Sequence, residues 1–584
     1  PIAFLRGDIG KLFSEFALTM AAAVVFSSFV ALTLSPALAS KILRANDADN
    51  RLVRVVDSAL QHSRRFYGSI LRLALAQRAL TVVLFAALSV LTLWLMSLLP
   101  NEYTPTEDRG VFMIMVNGPE GATYDYMVEY MDEIESRVLD LVDSGEVSRI
   151  MVRAPRSFGA VTTFNTGMLN VVLNDWADRR PATEIINELR SRFVDLPGVR
   201  ITPIMRQGFG AGRDQPFQLV IGGAGTYDEL AEWRDILLAR LEQDNPGLIN
   251  IDTDYKETQP QLEVHIDYDR AAALGVSVST IGRTLETMLG SRRVTTYLDA
   301  GEEYDVILEA AKLDKRTPSS MENIYVRSTT SGALIPLSNL ITIEEYAGST
   351  NLNRYNRNRA ITIDASMAPG LALGDALDHV EQLARDSLPD TLVIDYKGQS
   401  LDLRNAGGSM TFIFLLGALV IFLVLAALFE SFVHPLVIML GVPMAIGGGL
   451  LGLWLTGNSL NVYSQIALLM LIGLAAKNGI LIVEFANQLR DAGRSFDEAV
   501  MEASILRLRP ILMTGVTTVA GAIPLVIASG AGAESRMVIG VVVMWGVSIS
   551  MFVTLVLIPV LYSLLARRTG SPEALKRRLE EEQG

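Results

Sequence analysis

The sequence predicts an α-helical polytopic membrane protein that carries one large α+β domain outside the bilayer. Hydrophobic residues make up 50% of its 584 residues and charged residues only 20%, a balance that favours a membrane protein. Seven apolar stretches are each long enough to cross a bilayer core, which takes about 20 residues per helix. Between the second and third stretches, residues 101–404 alternate strand-like and helical patterns, which is typical of an α+β domain.

The loops between the predicted spans set their orientation. The spans are about 12–38, 79–99, 409–429, 433–455, 463–486, 510–528 and 536–565. The connection 41–78 holds eight Lys and Arg against three Asp, and basic residues concentrate in cytoplasmic loops. Counting spans forward places the loop 487–509 and the tail after 566 in the cytoplasm as well, and both are rich in arginine. Residues 101–404 are therefore expected on the opposite side.

The charge and composition of this outer region exclude several functions. Residues 101–404 hold 29 Lys and Arg against 48 Asp and Glu. This argues against nucleic acid as a partner and is compatible with cationic or amphiphilic cargo, although solubility is the simpler explanation. Cysteine is absent and the four histidines lie far apart, so disulfides, a zinc site and a thiol nucleophile are not expected. Without a nucleophile–base set or a phosphate loop, we predict neither an enzyme nor a cofactor.

The outer region divides into repeated βαβ patterns and one insertion. Strand–helix–strand order is predicted at 218–252 and again at 359–396, whereas residues 259–339 differ, with short helices at 268–274 and 277–288. The predicted divisions are a helix end plus a span (1–43), an amphipathic connector (44–78), a span (79–100), outer subdomains (101–258), the insertion (259–339), a return to the outer subdomains (340–404), five spans (405–566) and a tail (567–584).

Two segments near the ends of the chain resemble each other. Residues 30–38 read VALTLSPAL and residues 553–561 read VTLVLIPVL, with five of nine positions identical. Each follows another proline-bearing stretch, at Pro1 and Pro524, and the prolines are 35 residues apart in both copies. Duplicated halves are common in secondary transporters. We therefore expect the chain to start near the end of one repeat, with a copy of 79–523 preceding it in a longer protein.

A lysine in the middle of a predicted span is the strongest functional candidate. Placing the Lys477 ammonium within the span 463–486 costs at least ~2.5–3.5 kcal/mol, so it needs a partner. Snorkelling is the simpler explanation, but the ends of the span lie beyond a lysine's comfortable reach. Arg507 and Thr514, seven residues apart on one helical face, are candidates for the same polar track. No predicted span contains an aspartate, so the acid of a proton relay must come from elsewhere.

Six motifs spread along the chain identify a family. They are KNGILIVEF (477–485), RLRPILMT (507–514), LAALFES (425–431), TEDRGVF (106–112), DWADR (175–179) and ALGV (273–276). Together these motifs closely resemble those of the resistance-nodulation-division (RND) efflux pumps, in their hydrophobe/amphiphile branch. They cover nearly the whole chain at compatible spacing, so the resemblance is highly specific.

The resemblance implies the second half of a duplicated twelve-helix fold. The chain would supply the end of the fifth helix, the sixth to twelfth helices and the second periplasmic loop of a homotrimer in the bacterial inner membrane. It implies porter subdomains at 107–258 and 340–400, and a docking subdomain at 259–338 that faces an outer-membrane channel. The implied partners are a periplasmic adaptor, this channel, the lipid bilayer and small amphiphilic substrates.

The resemblance also assigns a proton relay. In the family, two aspartates on the fourth helix act with a lysine, an arginine and a threonine, which Lys477, Arg507 and Thr514 match. Asn478 joins them as part of the lysine motif. The heavy-metal branch lacks this lysine, so the resemblance argues against metal export.

For the substrate path, the resemblance points to a loop that keeps Phe158 and Phe164 but has Asn170 and other polar or small residues where relatives have aromatic ones. Ordinary core packing is the simpler role for both phenylalanines. The predicted function is proton-driven efflux of amphiphilic or hydrophobic compounds across the Gram-negative envelope by a tripartite pump. The alternative is a non-transporting membrane partner or remnant that lacks the proton-accepting half.

Overall fold

The computed structural model of the chain describes residues 7–42, 51–157, 163–205, 215–311, 315, 317–349, 351–368 and 370–569. Fifteen α-helices form within these stretches. They are α1 (Gly7–Ile42), α2 (Arg51–Ala76), α3 (Arg78–Leu98), α4 (Tyr124–Asp143), α5 (Ala182–Arg192), α6 (Tyr227–Gln243), α7 (Tyr268–Ala273), α8 (Val278–Leu285), α9 (Leu373–Ser387), α10 (Gly398–Phe429), α11 (Val433–Met439), α12 (Val442–Thr456), α13 (Val462–Asp491), α14 (Phe496–Val526) and α15 (Ala533–Leu565).

Fifteen strands form in the same described stretches. They are β1 (Val111–Asn117), β2 (Val147–Arg153), β3 (Thr166–Leu173), β4 (Arg200–Met205), β5 (Phe217–Gly223), β6 (Leu248–Thr253), β7 (Gln259–Ile266), β8 (Arg292–Asp299), β9 (Glu302–Leu308), β10 (Tyr325–Arg327), β11 (Leu334–Pro336), β12 (Ile341–Gly348), β13 (Arg354–Tyr355), β14 (Asn358–Met367) and β15 (Val393–Tyr396).

Seven helical stretches of the described chain are long and apolar enough to cross a membrane, which confirms the seven predicted spans. They are Ser14–Ile42, Arg78–Leu98, Gly398–Phe429, Val433–Thr456, Val462–Asp491, Phe496–Val526 and Ala533–Leu565. The span predicted at 510–528 is the second part of a longer helix that begins at Phe496, so Pro510 lies inside this helix. The predicted connector 44–78 contains α2, whose Tyr67 hydroxyl donates a 2.7 Å hydrogen bond to the Leu555 carbonyl of α15.

The span predicted as one helix at 433–455 is two helices, α11 and α12. Pro443 lies in the first turn of α12, where its missing amide hydrogen leaves no bond unmade, and the break falls just before it. Two glycines of α12 then allow close packing on α15. A Cβ at Gly452 would lie 2.7 Å from Trp545, and one at Gly448 would lie 2.9 Å from Ile549, so the two helix backbones approach closely.

Two α/β units of the same topology form most of the outer region. In unit 1 (β1–β4 with α4 and α5) the sheet order is β2-β3-β1-β4, and in unit 2 (β5, β6, β13–β15 with α6 and α9) the order β6-β14-β5-β15 repeats it. All neighbouring strands are antiparallel, because the two strands of each βαβ pair have another strand between them. The predicted βαβ repetition is therefore present as two interleaved pairs in each unit.

The two units differ in how their cores relate to the membrane helices. In unit 1, Phe112, Ile114 and Val116 of β1 pack against α4 and α5 in a separate buried cluster. In unit 2, the buried Phe217 belongs to one cluster that continues through Leu99 into the membrane bundle. Unit 2 thus shares a core with the bundle, whereas unit 1 does not.

An insertion separates β6 from β14 in unit 2. It runs from β7 to β12 and contains the β8–β9 hairpin, with α7 and α8 at the predicted positions. Because β12 pairs with β7 and Ile341 packs in the core of the insertion, this unit extends to Gly348, beyond the predicted boundary at 339.

Candidate functional site

Lys477 lies near the middle of α13. Asn461 caps the start of this helix, since its side-chain oxygen accepts hydrogen bonds from the amides of Tyr463 and Ser464, each at 3.0 Å. The Lys477 side chain is exposed, whereas the adjacent Ala476 is buried. Within the described residues, no carboxylate forms an ion pair with its ammonium. The cation therefore faces a side of the bundle that the described part of the chain leaves open.

Arg507 and Thr514 lie on α14, which follows α13 after a short turn and runs antiparallel to it. The Arg507 guanidinium lies 4.4 Å from the ring centre of Phe485 on α13, and its buried Nε makes no hydrogen bond within the described residues. Thr514 is about 10 Å further along α14.

Asn478 does not share the exposed surface of its neighbour Lys477. Its side chain is 6% exposed and points into the bundle, because successive residues of a helix are turned about 100° apart. The structure thus leaves Lys477 exposed, holds Arg507 against the Phe485 ring of α13 and places Asn478 in the interior.

The residues predicted for a substrate path lie in unit 1. Phe158 falls outside the described residues. Phe164, just before β3, is exposed. Asn170 lies on β3, directly opposite Met113 and Met151, and paired residues of antiparallel strands point to the same face. Asn170 therefore belongs to the face of the sheet that is turned away from α4 and α5.

This face of unit 1 is rich in methionine, which sequence reasoning missed. Met113, Met115 and Met168 form a buried cluster with Ile204. Met113 and Met115 alternate along β1, but Met168 and Ile204 come from β3 and β4, so no single stretch of sequence displays the whole cluster. Methionine is flexible and polarisable, and such side chains adapt to ligands of different shape.

Two of the cavities between unit 1 and unit 2 are lined by Ile204 of β4. The smaller one, of about 110 Å³, includes Met115 of the methionine-rich face. The larger one, of about 340 Å³, lies at the membrane side and combines apolar lining residues of both units, such as Ile186 and Leu371, with Glu102 and Arg190. This mixture of apolar walls and a few polar groups suits small amphiphilic molecules.

Glu102 at the edge of the larger cavity has an unusual environment. Its Oε2 accepts a 2.7 Å hydrogen bond from the Ser459 hydroxyl. Burial raises the pKa of this carboxyl above its usual range, the Ser459 hydrogen bond opposes the shift, and the nearby Asp375 carboxylate adds to it. A carboxyl group with a raised pKa in the folded protein favours folding when it is protonated.

We expect Glu102→Gln to flatten the pH dependence of stability. In the unsubstituted protein, the contribution of Glu102 is fully present below the pKa of an unfolded glutamate and is lost as the pH rises through the raised folded pKa. The variant should therefore gain thermal stability over the unsubstituted protein as the pH rises, measured as the unfolding midpoint in detergent. Glu129→Gln, at an exposed position of α4, is the control. Parallel curves for all three proteins would contradict the expectation.

A lysine in the middle of an apolar helix, an open helix surface around it and cavities in the outer region are typical of secondary membrane transporters. A family model described as the AcrB/AcrD/AcrF family matches residues 1–566, and the chain belongs to this family. The predicted resemblance to RND efflux pumps is thereby confirmed.

Several relatives match along almost the whole chain. The multidrug export protein AcrF of Escherichia coli is 31% identical over 582 residues, 97% of this chain and 56% of the relative. The toluene efflux pump membrane transporter TtgB of Pseudomonas putida is 32% identical over 596 residues, 99% of this chain and 56% of the relative. An uncharacterized transporter of Haemophilus influenzae is 34% identical, over 97% of this chain and 55% of the relative. The chain spans about half the length of these relatives.

Proposed function

We propose that the protein exports amphiphilic and hydrophobic compounds across the inner membrane in exchange for protons. The observation that carries this proposal is Lys477, a cation in the middle of an apolar helix, exposed on a side that the described residues leave open. An ammonium in that position requires an acidic partner. The names of the relatives, which describe multidrug and toluene efflux, support the class of cargo.

In this mechanism the acidic partners of Lys477 are two aspartates that belong to a preceding repeat. While they are ionised, they hold the ammonium. When protons bind them, the ion pair is released and α13 shifts relative to its neighbours, with Arg507 and Thr514 lining the same track. Asn478, buried beside Lys477, acts by setting how closely α13 packs in the bundle.

The cargo passes between unit 1 and unit 2. The cavity of about 340 Å³ receives it, and the methionine-rich face with Phe164 and Asn170 lies further along the path. Phe158, which falls outside the described residues, is proposed to contribute to the same path. Because few aromatic side chains line this path, we propose a preference for aliphatic or amphiphilic compounds over polyaromatic ones.

The whole protein is proposed to work as a homotrimer, with its outer region in the periplasm. Porter subdomains correspond to unit 1 and unit 2. The insertion between β6 and β14 docks toward an outer-membrane channel, and a periplasmic adaptor completes the tripartite pump.

Reconstitution into proteoliposomes tests the proposed function. The protein, complete as encoded, is expected to move a fluorescent amphiphilic cation when a pH gradient is imposed, and the cation is expected to speed the decay of the gradient. A protonophore should stop both processes. Movement of the cation at an unchanged rate without a gradient, or no movement of cation and protons at all, would overturn proton-coupled export. The second result would favour a non-transporting membrane partner.

A further inference from the structure

Residues 100–110, which join α3 to β1, are hydrogen-bonded to the start of α13. The Glu102 amide donates to the Leu460 carbonyl at 3.0 Å, and the Leu460 amide donates to the Pro100 carbonyl at 2.8 Å. The Val462 amide, at the first residue of α13, donates to the Tyr103 carbonyl at 3.2 Å. This short parallel pairing fixes residues 100–103 to the beginning of the helix that carries Lys477.

The same stretch is also bonded to the start of α15. The Glu107 side chain is only 3% exposed. Its Oε1 accepts a hydrogen bond from the Ser535 hydroxyl in the first turn of α15, and its Oε2 accepts from Nε of Arg109 at 2.6 Å. The next amide, that of Asp108, donates to Oε1 of Glu534 at 3.3 Å.

Near its C-terminal end, this stretch is hydrogen-bonded to unit 1. The Asp108 carboxylate accepts two hydrogen bonds from Arg179, at 2.7 and 2.8 Å. It also accepts one at 2.9 Å from the amide of Ala182, the first residue of α5. Eleven residues of chain thus connect the starts of two membrane helices to unit 1, whose core is separate from the bundle.

We propose that residues 100–110 form a coupling segment that transmits movements of α13 and α15 to unit 1, with Glu107 as its positioning residue. The inference rests on the proposed proton antiport. If the segment and α15 separated, this buried carboxylate would lose its bond from Ser535 while it stayed paired with Arg109. Leaving a buried acceptor oxygen unsatisfied is costly, so the segment and the start of α15 shift together. Asp108 then carries the shift into α5, whose residues Thr183, Ile186 and Arg190 line the larger cavity.

The first test compares transport by the complete protein with and without Glu107→Ala. We expect the maximal rate of proton-driven export of a fluorescent amphiphilic cation to fall about tenfold, with the half-saturating concentration of the cation unchanged. Glu107→Gln should restore part of the rate, because the amide oxygen still accepts from Ser535. Asp143→Ala, at an exposed acid at the end of α4, is the matched control and should leave export unchanged.

The outcomes separate this inference from the proposed function. If the unsubstituted protein shows no proton-coupled export, the proposed function fails and the coupling role falls with it. If the unsubstituted protein exports and Glu107→Ala matches it in maximal rate, only the coupling role is overturned. An equal loss of rate in Glu107→Ala and Glu107→Gln, with a raised half-saturating concentration, would also overturn it, because that pattern indicates a damaged binding cavity.

A second measurement does not depend on the folding of Glu107→Ala. This chain has no cysteine, so Asn101→Cys and Leu460→Cys together place a unique pair in it, at two residues that face each other in a parallel bridge. If the segment moves with the start of α13, export should be the same before and after the pair is oxidised to a disulfide. Loss of export on oxidation, with recovery under reductant, would mean that the segment slides along α13 and would overturn the inference.

Discussion

Lys477→Ala in the complete protein is expected to reduce proton-coupled export at least ~100-fold, the lower end of what loss of a positioned proton-transfer group costs. The reason is the position of the ammonium, exposed in the middle of the apolar helix α13. Without it, the proposed acidic partners have no cation to release when they become protonated. Export by proteoliposomes under an imposed pH gradient measures the effect, and size-exclusion chromatography establishes that the assembly is unchanged.

A matched variant shows whether the loss of export depends on where the positive charge is removed or only on the removal of a positive charge. Arg509 lies on the same helix as Arg507 but is exposed, 3.6 Å from Asp57 of α2. Arg509→Ala also removes one positive charge, and we expect it to keep most of the export, since exposed ion pairs contribute little. Proton-coupled export that survives in Lys477→Ala would end the proposed role of this lysine.

Arg179→Ala is expected to destabilise unit 1 by roughly 3–5 kcal/mol, the usual cost of removing one partner of a buried ion pair. The Arg179 side chain is 1% exposed, and both of its terminal nitrogens bond Asp108. Burial alone would raise the pKa of Asp108, but hydrogen bonds from Arg179 and from the amides of Ala182 and Gly110 outweigh it and leave that pKa below its usual range. The pair therefore stabilises the fold above the pKa of an unfolded aspartate and loses its effect as the pH falls.

The adjacent arginine supplies the control for this prediction. Arg180 forms ion pairs with Glu146 and Glu188 at 2.7 and 2.8 Å, but its side chain is 45% exposed. We expect Arg180→Ala to cost about 0–1 kcal/mol. Thermal unfolding of the purified protein, followed by tryptophan fluorescence, reports on both variants, because Trp176 lies 5.4 Å from the Arg179 guanidinium. If Arg179→Ala and Arg180→Ala lost similar amounts of stability, burial would not be what makes the Arg179 ion pair important.

Much of the membrane region could be predicted from the sequence, because a long apolar run has one stable arrangement in a bilayer. The break between α11 and α12 was missed, since both helices are apolar and only Gly441 and Pro443 mark it. The outer region was harder. β2 and β4 were not predicted, because their apolar residues are mixed with polar and charged ones, as in the VSRIMVR sequence of β2.

The common topology of unit 1 and unit 2 also could not be predicted from the sequence. It resides in strand pairing, and pairing between distant segments leaves no local pattern in one sequence.

The candidate site was predicted in part for similar reasons. A spacing of seven residues placed Arg507 and Thr514 on one helical face, and both residues do lie on one helix, α14, next to the helix that carries Lys477. Sequence spacing could not reveal that Asn478 points inward, nor that Arg507 lies over the Phe485 ring. The methionine-rich face and the contact of Glu107 with Ser535 join residues far apart in the chain, so only the folded structure reveals them.

The way the insertion joins unit 2 has a consequence for how such proteins diverge. The chain leaves along β6 and β7 and returns along β12 and β14, and in each case the outgoing strand is paired with the returning one. The two junctions therefore lie side by side, as at sites that tolerate the exchange of whole domains. Selection can therefore reshape the insertion while the sheet of unit 2, which borders the larger cavity, keeps its register.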